Sequence, residues 1–314
     1  MSLLIAVTGW DPTAWTKRVR ALLPERELVS RETMSNPEAI RYALAWRHKP
    51  GAFVGLPNLN AIFSLGAGVD HVLVDPDLPD VPIVRVVDPD LTQRMSEWVV
   101  LQTMLHFRQF RRYDIQQREK IWAEDEEQPA AADVRVGVLG LGVLGLDAAR
   151  KLQAIGFDVA GWSRAERKVA GLETFHGEHG RDRLLARTDI LVSLLPLTPE
   201  TRGLLNRDLI GKLARDGRLG GPFLINGGRG GSQVEADIVD ALQSGALKGA
   251  SLDVFETEPL PASSPLWDAP NLYISPHNAA ISEPQAIARY ITSAILAFER
   301  GEPLPNVVDR KRGY

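Results

Sequence analysis

The residues best placed to do chemistry lie in the second half of the chain. A glycine series, Gly140-Leu141-Gly142-Val143-Leu144-Gly145, follows the strand-like run Val134-Arg135-Val136-Gly137-Val138-Leu139 and precedes a helical pattern. The three glycines meet separate demands: a tight turn, close approach of backbone to a pyrophosphate, and close packing of helix on strand. The start of the helix adds free N–H groups and a partial positive charge. Gly140, Gly142, Val143, Leu144 and Gly145 are therefore the expected seat of a dinucleotide's pyrophosphate. The order strand, glycines, helix, strand makes this more specific than the glycines alone.

The end of the next strand should distinguish the two nicotinamide dinucleotides. An acidic residue there would hold the ribose hydroxyls of NAD and repel a 2′-phosphate. This chain has Trp162-Ser163-Arg164 instead, with Arg167 and Lys168 close behind. Serine can donate a hydrogen bond, and arginine pairs with a phosphate dianion. Ser163, Arg164 and Lys168 thus predict NADPH in preference to NADH.

Three more segments each follow an expected strand. Leu224-Ile225-Asn226-Gly227-Gly228-Arg229-Gly230 carries a guanidinium. Leu252-Asp253-Val254-Phe255-Glu256-Thr257-Glu258-Pro259 carries carboxylates, and Ile274-Ser275-Pro276-His277-Asn278 an imidazole. Strand ends of an open α/β sheet line the ligand crevice, so an Arg, a Glu and a His distant in sequence can converge there. The paired glycines Gly227 and Gly228 predict a loosened loop that still keeps its arginine.

Elements able to position these residues are legible as alternating apolar runs and helical patterns. Strands are expected at Leu3–Thr8, Ala61–Leu65 and Ile83–Val87, with a helix at Pro12–Leu23. A longer helix covers about Ser96–Arg112, its apolar positions including Trp98, Leu101, Leu105 and Phe107. The acidic stretch 123–129 reads as an exposed connection. A second series then places strands at Val134–Leu139, Asp158–Trp162, Ile190–Leu194, Phe223–Ile225 and Gly249–Leu252. Helices are expected at Leu144–Ala154, Arg181–Arg187 and Gln233–Ser244, and a final one from Glu283 to Arg300. The fold class is α/β, with two doubly wound parallel sheets, one inserted in the other in sequence.

At 314 residues the chain has room for two domains, and 44% hydrophobic with 24% charged residues is an ordinary globular composition. A net charge of -4 gives no support to nucleic-acid binding. No apolar run approaches the ~20 residues needed to span a bilayer, so no membrane partner is expected. The N-terminus lacks a basic segment and runs straight into a strand, unlike a signal peptide. The chain has no cysteine, which excludes disulfides, cysteine zinc sites and a thiol nucleophile and fits a cytoplasmic location. His176 and His179 form a His-x-x-His pair on an expected glycine-rich loop, with no supporting ligand nearby, and no metal site is assigned. His48, His71 and His106 are read as structural.

Taken in order, these motifs resemble the D-isomer-specific 2-hydroxyacid dehydrogenase family over nearly the whole chain, in particular the branch that reduces glyoxylate and hydroxypyruvate. Supporting segments are Ser64-Leu65-Gly66-Ala67-Gly68-Val69-Asp70-His71, Pro196-Leu197-Thr198-Pro199-Glu200-Thr201 and the tail Val308-Asp309-Arg310-Lys311-Arg312-Gly313-Tyr314. The resemblance implies a Rossmann-type cofactor domain at about 99–283, inserted in a flavodoxin-like substrate domain made of 1–98 and 284–314. It implies Arg229, Glu258 and His277 as the catalytic three, with Glu258 rather than Glu256 as the carboxylate. Further cofactor contacts are implied at Leu195, Pro196, Asn226, Gly227, Gly228, Asp253 and His277. A homodimer is implied, with the long helix near Ser96–Arg112 as its element.

The implied chemistry agrees with those residue types. Reduction of a 2-oxo acid needs a hydride at the carbonyl carbon and a proton at its oxygen. Histidine titrates near neutral pH and suits the proton donor. A glutamate beside the ring would favour the imidazolium and fix its orientation. Arg229 can bind the substrate carboxylate and polarise the carbonyl. On the substrate side, Gly66-Ala67-Gly68 can present backbone N–H groups to a carboxylate. By resemblance this loop, with Leu65, caps the small acid, and Trp46 walls the pocket. Met95 is a weaker candidate for the same wall. The expected activity is NADPH-dependent reduction of glyoxylate and hydroxypyruvate to glycolate and D-glycerate. Two other readings stand beside it: a cofactor-sensing binding protein on the same scaffold, and a dehydrogenase of another small anion.

Overall fold

Ser2–Val7, six consecutive buried residues, form β1, as expected of a parallel strand covered on both faces. The structure is a computed structural model and describes all residues from Met1 to Tyr314. The chain divides into two units, Met1–Leu91 with Ser282–Tyr314, and Thr92–Ile281.

In the first unit β1 is followed by α1 (Pro12–Leu22), β2 (Glu27–Val29), β3 (Ile40–Trp46), β4 (Ala61–Ser64), α2 (Asp70–Leu73) and β5 (Ile83–Val84). The Asp11 side chain accepts from Thr13 N–H, and Pro12 occupies the first turn, which starts α1 sharply. The strands lie parallel in the order β2-β1-β3-β4-β5, the flavodoxin-like order. The tail closes the β5 edge: Val308 N–H donates to Ile83 O at 2.8 Å, beside an antiparallel bridge from Val307 to Val84.

The second unit takes most of α3 (Pro89–Phe107), then α4 (Phe110–Glu119), β6 (Arg135–Leu139), α5 (Val143–Ile155), β7 (Asp158–Ser163) and β8 (Glu173–His176). It continues with α6 (Gly177–Ala186), β9 (Ile190–Ser193), α7 (Arg207–Gly211), β10 (Phe223–Asn226), α8 (Glu235–Ser244), β11 (Gly249–Leu252) and β12 (Leu272–Ile274). The parallel order is β12-β11-β10-β9-β6-β7-β8. Strand order reverses between β6 and β9, the switch point at which doubly wound sheets bind nucleotides. The chain then returns to the first unit through α9 (Pro284–Glu299), capped by Glu283, which accepts from Gln285 and Ala286 N–H.

Several expectations need correction. The long helix starts earlier and breaks at Gln109, whose left-handed φ of +53° separates α3 from α4. Leu101 is 54% exposed and contributes nothing to the core. The strand expected at Ile83–Val87 keeps two residues, and short strands β2, β8 and β12 carried too few residues to show a period. His176 ends β8 and His179 lies on α6, so neither belongs to a glycine-rich loop.

Candidate active site

At the switch point the three glycines have three distinct surroundings. Gly140 has φ +99°, and its N–H donates to Trp162 O at 2.9 Å, which pins the turn to β7. A Cβ on Gly145 would lie 1.9 Å from Gly140 O, so α5 can pack this closely only on a glycine. A Cβ on Gly142 would meet nothing within 4 Å, which leaves its backbone open to a ligand. Gly142 caps α5 without any side-chain hydrogen bond, so the first-turn N–H groups at Val143 and Leu144 suit an anion. The residues present fit a dinucleotide's pyrophosphate.

Beyond β7, the Ser163 hydroxyl donates to Ala165 O at 2.8 Å, and Arg164 Nη1 lies 3.9 Å from Glu200 Oε2. Arg167 reaches back and donates to Leu141 O within the glycine turn. Lys168 extends outward, its side chain 91% exposed, with Nζ 3.9 Å from Glu166. Of the basic residues in this segment, Arg167 is the one the fold carries to the turn.

The segment after β9 contributes Leu195, buried, and Pro196, half-buried, whose carbonyl accepts the Thr201 hydroxyl at 2.7 Å. The Arg229 loop packs directly on it. A Cβ on Gly228 would lie 2.6 Å from Leu195 O, and one on Gly227 3.0 Å from Trp98 Cζ3 and 3.3 Å from Met95 Sδ. The expected loosening is therefore absent, because the glycines permit close packing. Asn226 is fully buried and accepts from Gly228 N–H at 3.1 Å; its amide donates to Gln233 Oε1 at 2.8 Å and to Arg229 O at 3.3 Å. Gln233 donates on to Val254 O at 2.9 Å, tying the arginine loop to the glutamate loop. Arg229 itself is partly buried, with Nη1 donating to Gly228 O at 2.9 Å.

Glu258 and His277 meet side chain to side chain. Nδ1 of His277 lies 2.8 Å from Oε2 and 3.0 Å from Oε1 of Glu258, and Phe255 N–H donates to Oε1 at 3.1 Å. A carboxylate at Nδ1 places a hydrogen there and leaves Nε2 as the nitrogen that exchanges protons. His277 has a left-handed φ of +52°, unusual for a side-chain-bearing residue, and its N–H donates to Asp253 O at 2.7 Å. The Asp253 carboxylate, 1% exposed, accepts from the Ser275 hydroxyl at 2.6 Å and from Asn278 and Ala279 N–H at 3.0 Å each. Trp98 Nε1 donates to Ser275 Oγ at 3.1 Å. Asp253, Ser275 and Trp98 thus hold the backbone that aims His277. Sequence reasoning missed the part played by Gln233, which lies in no motif, and the polar roles of Ser275, quoted only as a neighbour of His277, and Trp98, read only as an apolar helix position.

In the first unit, β3 delivers Trp46 and β4 runs through buried Leu65 into Gly66-Ala67-Gly68. A Cβ on Gly66 would come within 2.7 Å of Trp46 Cζ3, so loop and indole are in direct contact. The structure brings Trp46 together with Gly66. It places Met95 in the second unit, buried against Gly227.

A five-stranded flavodoxin-like sheet and a seven-stranded Rossmann sheet, with a glycine turn at the second sheet's switch point, define a two-unit dinucleotide-binding protein. Residues 100–279 match the family model described as "D-isomer specific 2-hydroxyacid dehydrogenase, NAD binding domain". The chain is 38% identical to glyoxylate/hydroxypyruvate reductase A of Escherichia fergusonii, over 100% of both chains. A solved probable 2-hydroxyacid dehydrogenase from Rhizobium etli, in complex with NADP, HEPES and L(+)-tartaric acid, is 48% identical. It covers 100% of this chain and 99% of its own, with a TM-score of 0.94. The NADPH-dependent glyoxylate/hydroxypyruvate reductase from Sinorhizobium meliloti, in complex with NADP and sulfate, is 49% identical over 100% of both chains, with a TM-score of 0.93. The chain belongs to the D-isomer specific 2-hydroxyacid dehydrogenase family.

Proposed function

We propose that the protein reduces small 2-oxo acids, glyoxylate and hydroxypyruvate, to D-2-hydroxy acids with NADPH as the preferred cofactor. The observation that carries the reading is the His277–Glu258 pair, a histidine oriented through Nδ1 by a carboxylate at 2.8 Å. Gly140, Gly142, Val143, Leu144 and Gly145 hold the pyrophosphate. Ser163 and Arg164 take the 2′-phosphate, with Arg167 beside them and Lys168 in an outer, solvent-screened role. Leu195, Pro196, Asn226, Gly227, Gly228 and Asp253 shape the remaining cofactor contacts. When bound, the nicotinamide supplies the hydride. Arg229 binds the substrate carboxylate and draws electron density toward the carbonyl oxygen. His277 passes a proton from Nε2 to that oxygen, and Glu258 stabilises the charged ring before transfer. Trp46, Leu65, Gly66, Ala67 and Gly68 recognise a short acid. The NADP-bound relatives and the named reductases support this reading.

The deciding measurement is kcat/KM for glyoxylate, hydroxypyruvate and pyruvate with each cofactor, followed by NADPH absorbance. Turnover of glyoxylate with NADPH ahead of NADH is expected; no turnover of any 2-oxo acid would overturn the proposal. The working form is proposed to be a cytoplasmic homodimer. Leu101, Phe110, Ile115, Ile121 and Trp122, all exposed apolar side chains along and just after α3 and α4, support the association. No helix is long and apolar enough to cross a membrane.

A further inference from the structure

Ser64, fully buried at the end of β4, and His71, in the short helix α2, flank the Gly66-Ala67-Gly68 loop in sequence; Ser64 is bonded to the loop and His71 to Ser64. Ser64 Oγ donates to Gly68 O at 3.1 Å, accepts from Gly66 N–H at 3.3 Å and lies 3.3 Å from His71 Nε2. At the other nitrogen of the ring, Arg47 N–H donates to His71 Nδ1 at 3.3 Å. One proton arrangement satisfies all four contacts. Nδ1 is an acceptor, so in the neutral ring Nε2 carries the hydrogen and donates to Ser64. The serine hydrogen goes to Gly68 O, and the two serine lone pairs take Gly66 N–H and His71. Ser64 thus ties the two ends of the loop together, taking Gly66 N–H and giving its hydrogen to Gly68 O.

The same histidine ring also meets the aromatic wall. It stands edge-on to Trp46, centroids 4.6 Å apart, and Trp46 stacks on Trp10 at 4.1 Å and 11°. Arg47, whose N–H binds the ring, is the residue after Trp46 and has φ +44°. Its carbonyl accepts the Thr8 hydroxyl. Loop and indole are therefore joined through one imidazole, although they come from different strands.

We propose that Ser64 and His71 are positioning residues that lock the Gly66–Gly68 loop and Trp46 into one arrangement, fixing the preference for a short 2-oxo acid. The proposal rests on the reading that this loop and Trp46 recognise the acid. Neither residue touches the reacting atoms, so their loss acts on substrate KM rather than on cofactor binding.

The test uses Ser64→Ala, His71→Phe and the double variant in the full-length protein. His71→Phe keeps a ring against Trp46 and removes both nitrogens. Each single variant is expected to raise KM for glyoxylate about tenfold, the net worth of one hydrogen bond, with KM for NADPH within about twofold. The double variant should be no worse than the more impaired single one, because both break the same relay. Hydrogen exchange at the amides of residues 66–69, measured without substrate, should quicken in all three. Additive losses in KM, or unchanged exchange at Gly66, would overturn the proposal. If the unaltered protein turns over no 2-oxo acid, the substrate reading fails, and the exchange rates still decide whether Ser64 and His71 hold the loop.

Discussion

Nδ1 of His277 lies 2.8 Å from Oε2 of Glu258, although 19 residues separate them in the chain. The contact depends on two anchors. Phe255 N–H holds the carboxylate at 3.1 Å, and Asp253 O holds the histidine backbone at 2.7 Å. With Nδ1 occupied, Nε2 is the ring nitrogen left for the proposed proton donation. His277→Ala should lower kcat by about 10²–10⁴, the usual contribution of general acid catalysis, while the Kd for NADPH stays within a few fold. Glu258→Gln keeps the shape and removes the charge, and should cost less, about tenfold or more in kcat. Near-normal turnover of the alanine variant would refute the acid role.

The two glycines after Gly140 should differ in their effect on stability. Gly142→Ala places its methyl in open space, so Tm should hold while NADPH affinity falls. Gly145→Ala brings a methyl within 1.9 Å of Gly140 O, so Tm and affinity should fall together. Thermal melts with and without NADPH separate the two. Equal Tm losses would contradict the assignment.

Cofactor choice should rest on Arg164 more than on Lys168. Lys168 is 91% exposed on its side chain, where water and salt screen its charge. Arg164→Ala should reduce kcat/KM for NADPH by about tenfold or more and leave NADH nearly unchanged, as expected for loss of an arginine–phosphate pair. Lys168→Ala should change the ratio by less. Titration calorimetry with both cofactors checks the ordering.

Stability should fall in mild acid because of His106. This α3 residue is 5% exposed, with Nε2 2.9 Å from Ser251 Oγ, and Ser251 donates to Gln102 at 2.8 Å. Burial, helped by the charge of Arg111, pushes its imidazole down to about 3. The unfolded chain takes up the proton near its ordinary value of about 6.5 and the folded chain does not. Its stabilising contribution is therefore full above about pH 6.5 and is lost as pH falls toward 3. Urea unfolding between pH 7 and 5 should show a slope approaching about 1.4 kcal/mol per pH unit from this residue. His48, pushed down mainly by burial against the pull of Asp75, adds the same sign. His106→Gln should flatten the profile; an unchanged slope would rule the residue out.

Association should depend on the exposed apolar residues along α3 and α4 and just after them. Leu101→Glu or Trp122→Glu should shift the protein to a monomer in light scattering at micromolar concentration, since a buried charge opposes an apolar interface. A monomeric unaltered protein would remove the homodimer from the proposal.

The sequence alone determined features whose physical causes are local. A strand, three glycines at fixed spacing and a helix start make a phosphate-binding turn through sterics and backbone dipoles, and all of that is written within about a dozen residues. The alternation of apolar runs with helical patterns likewise announced two doubly wound sheets, and the absence of an acid after Trp162 pointed to a 2′-phosphate. Only the tertiary structure decided matters set by neighbours distant in the chain. It showed that Gly227 and Gly228 tighten their loop against Trp98 and Leu195 O, and that Leu101 faces outward. It showed that Arg167 reaches the glycine turn while Lys168 does not. Most of all, it joined His71 to Ser64, Arg47 and Trp46, a histidine that sequence could only call structural. A side chain's partners follow from strand order and register, and these are fixed by how whole sheets bury their faces.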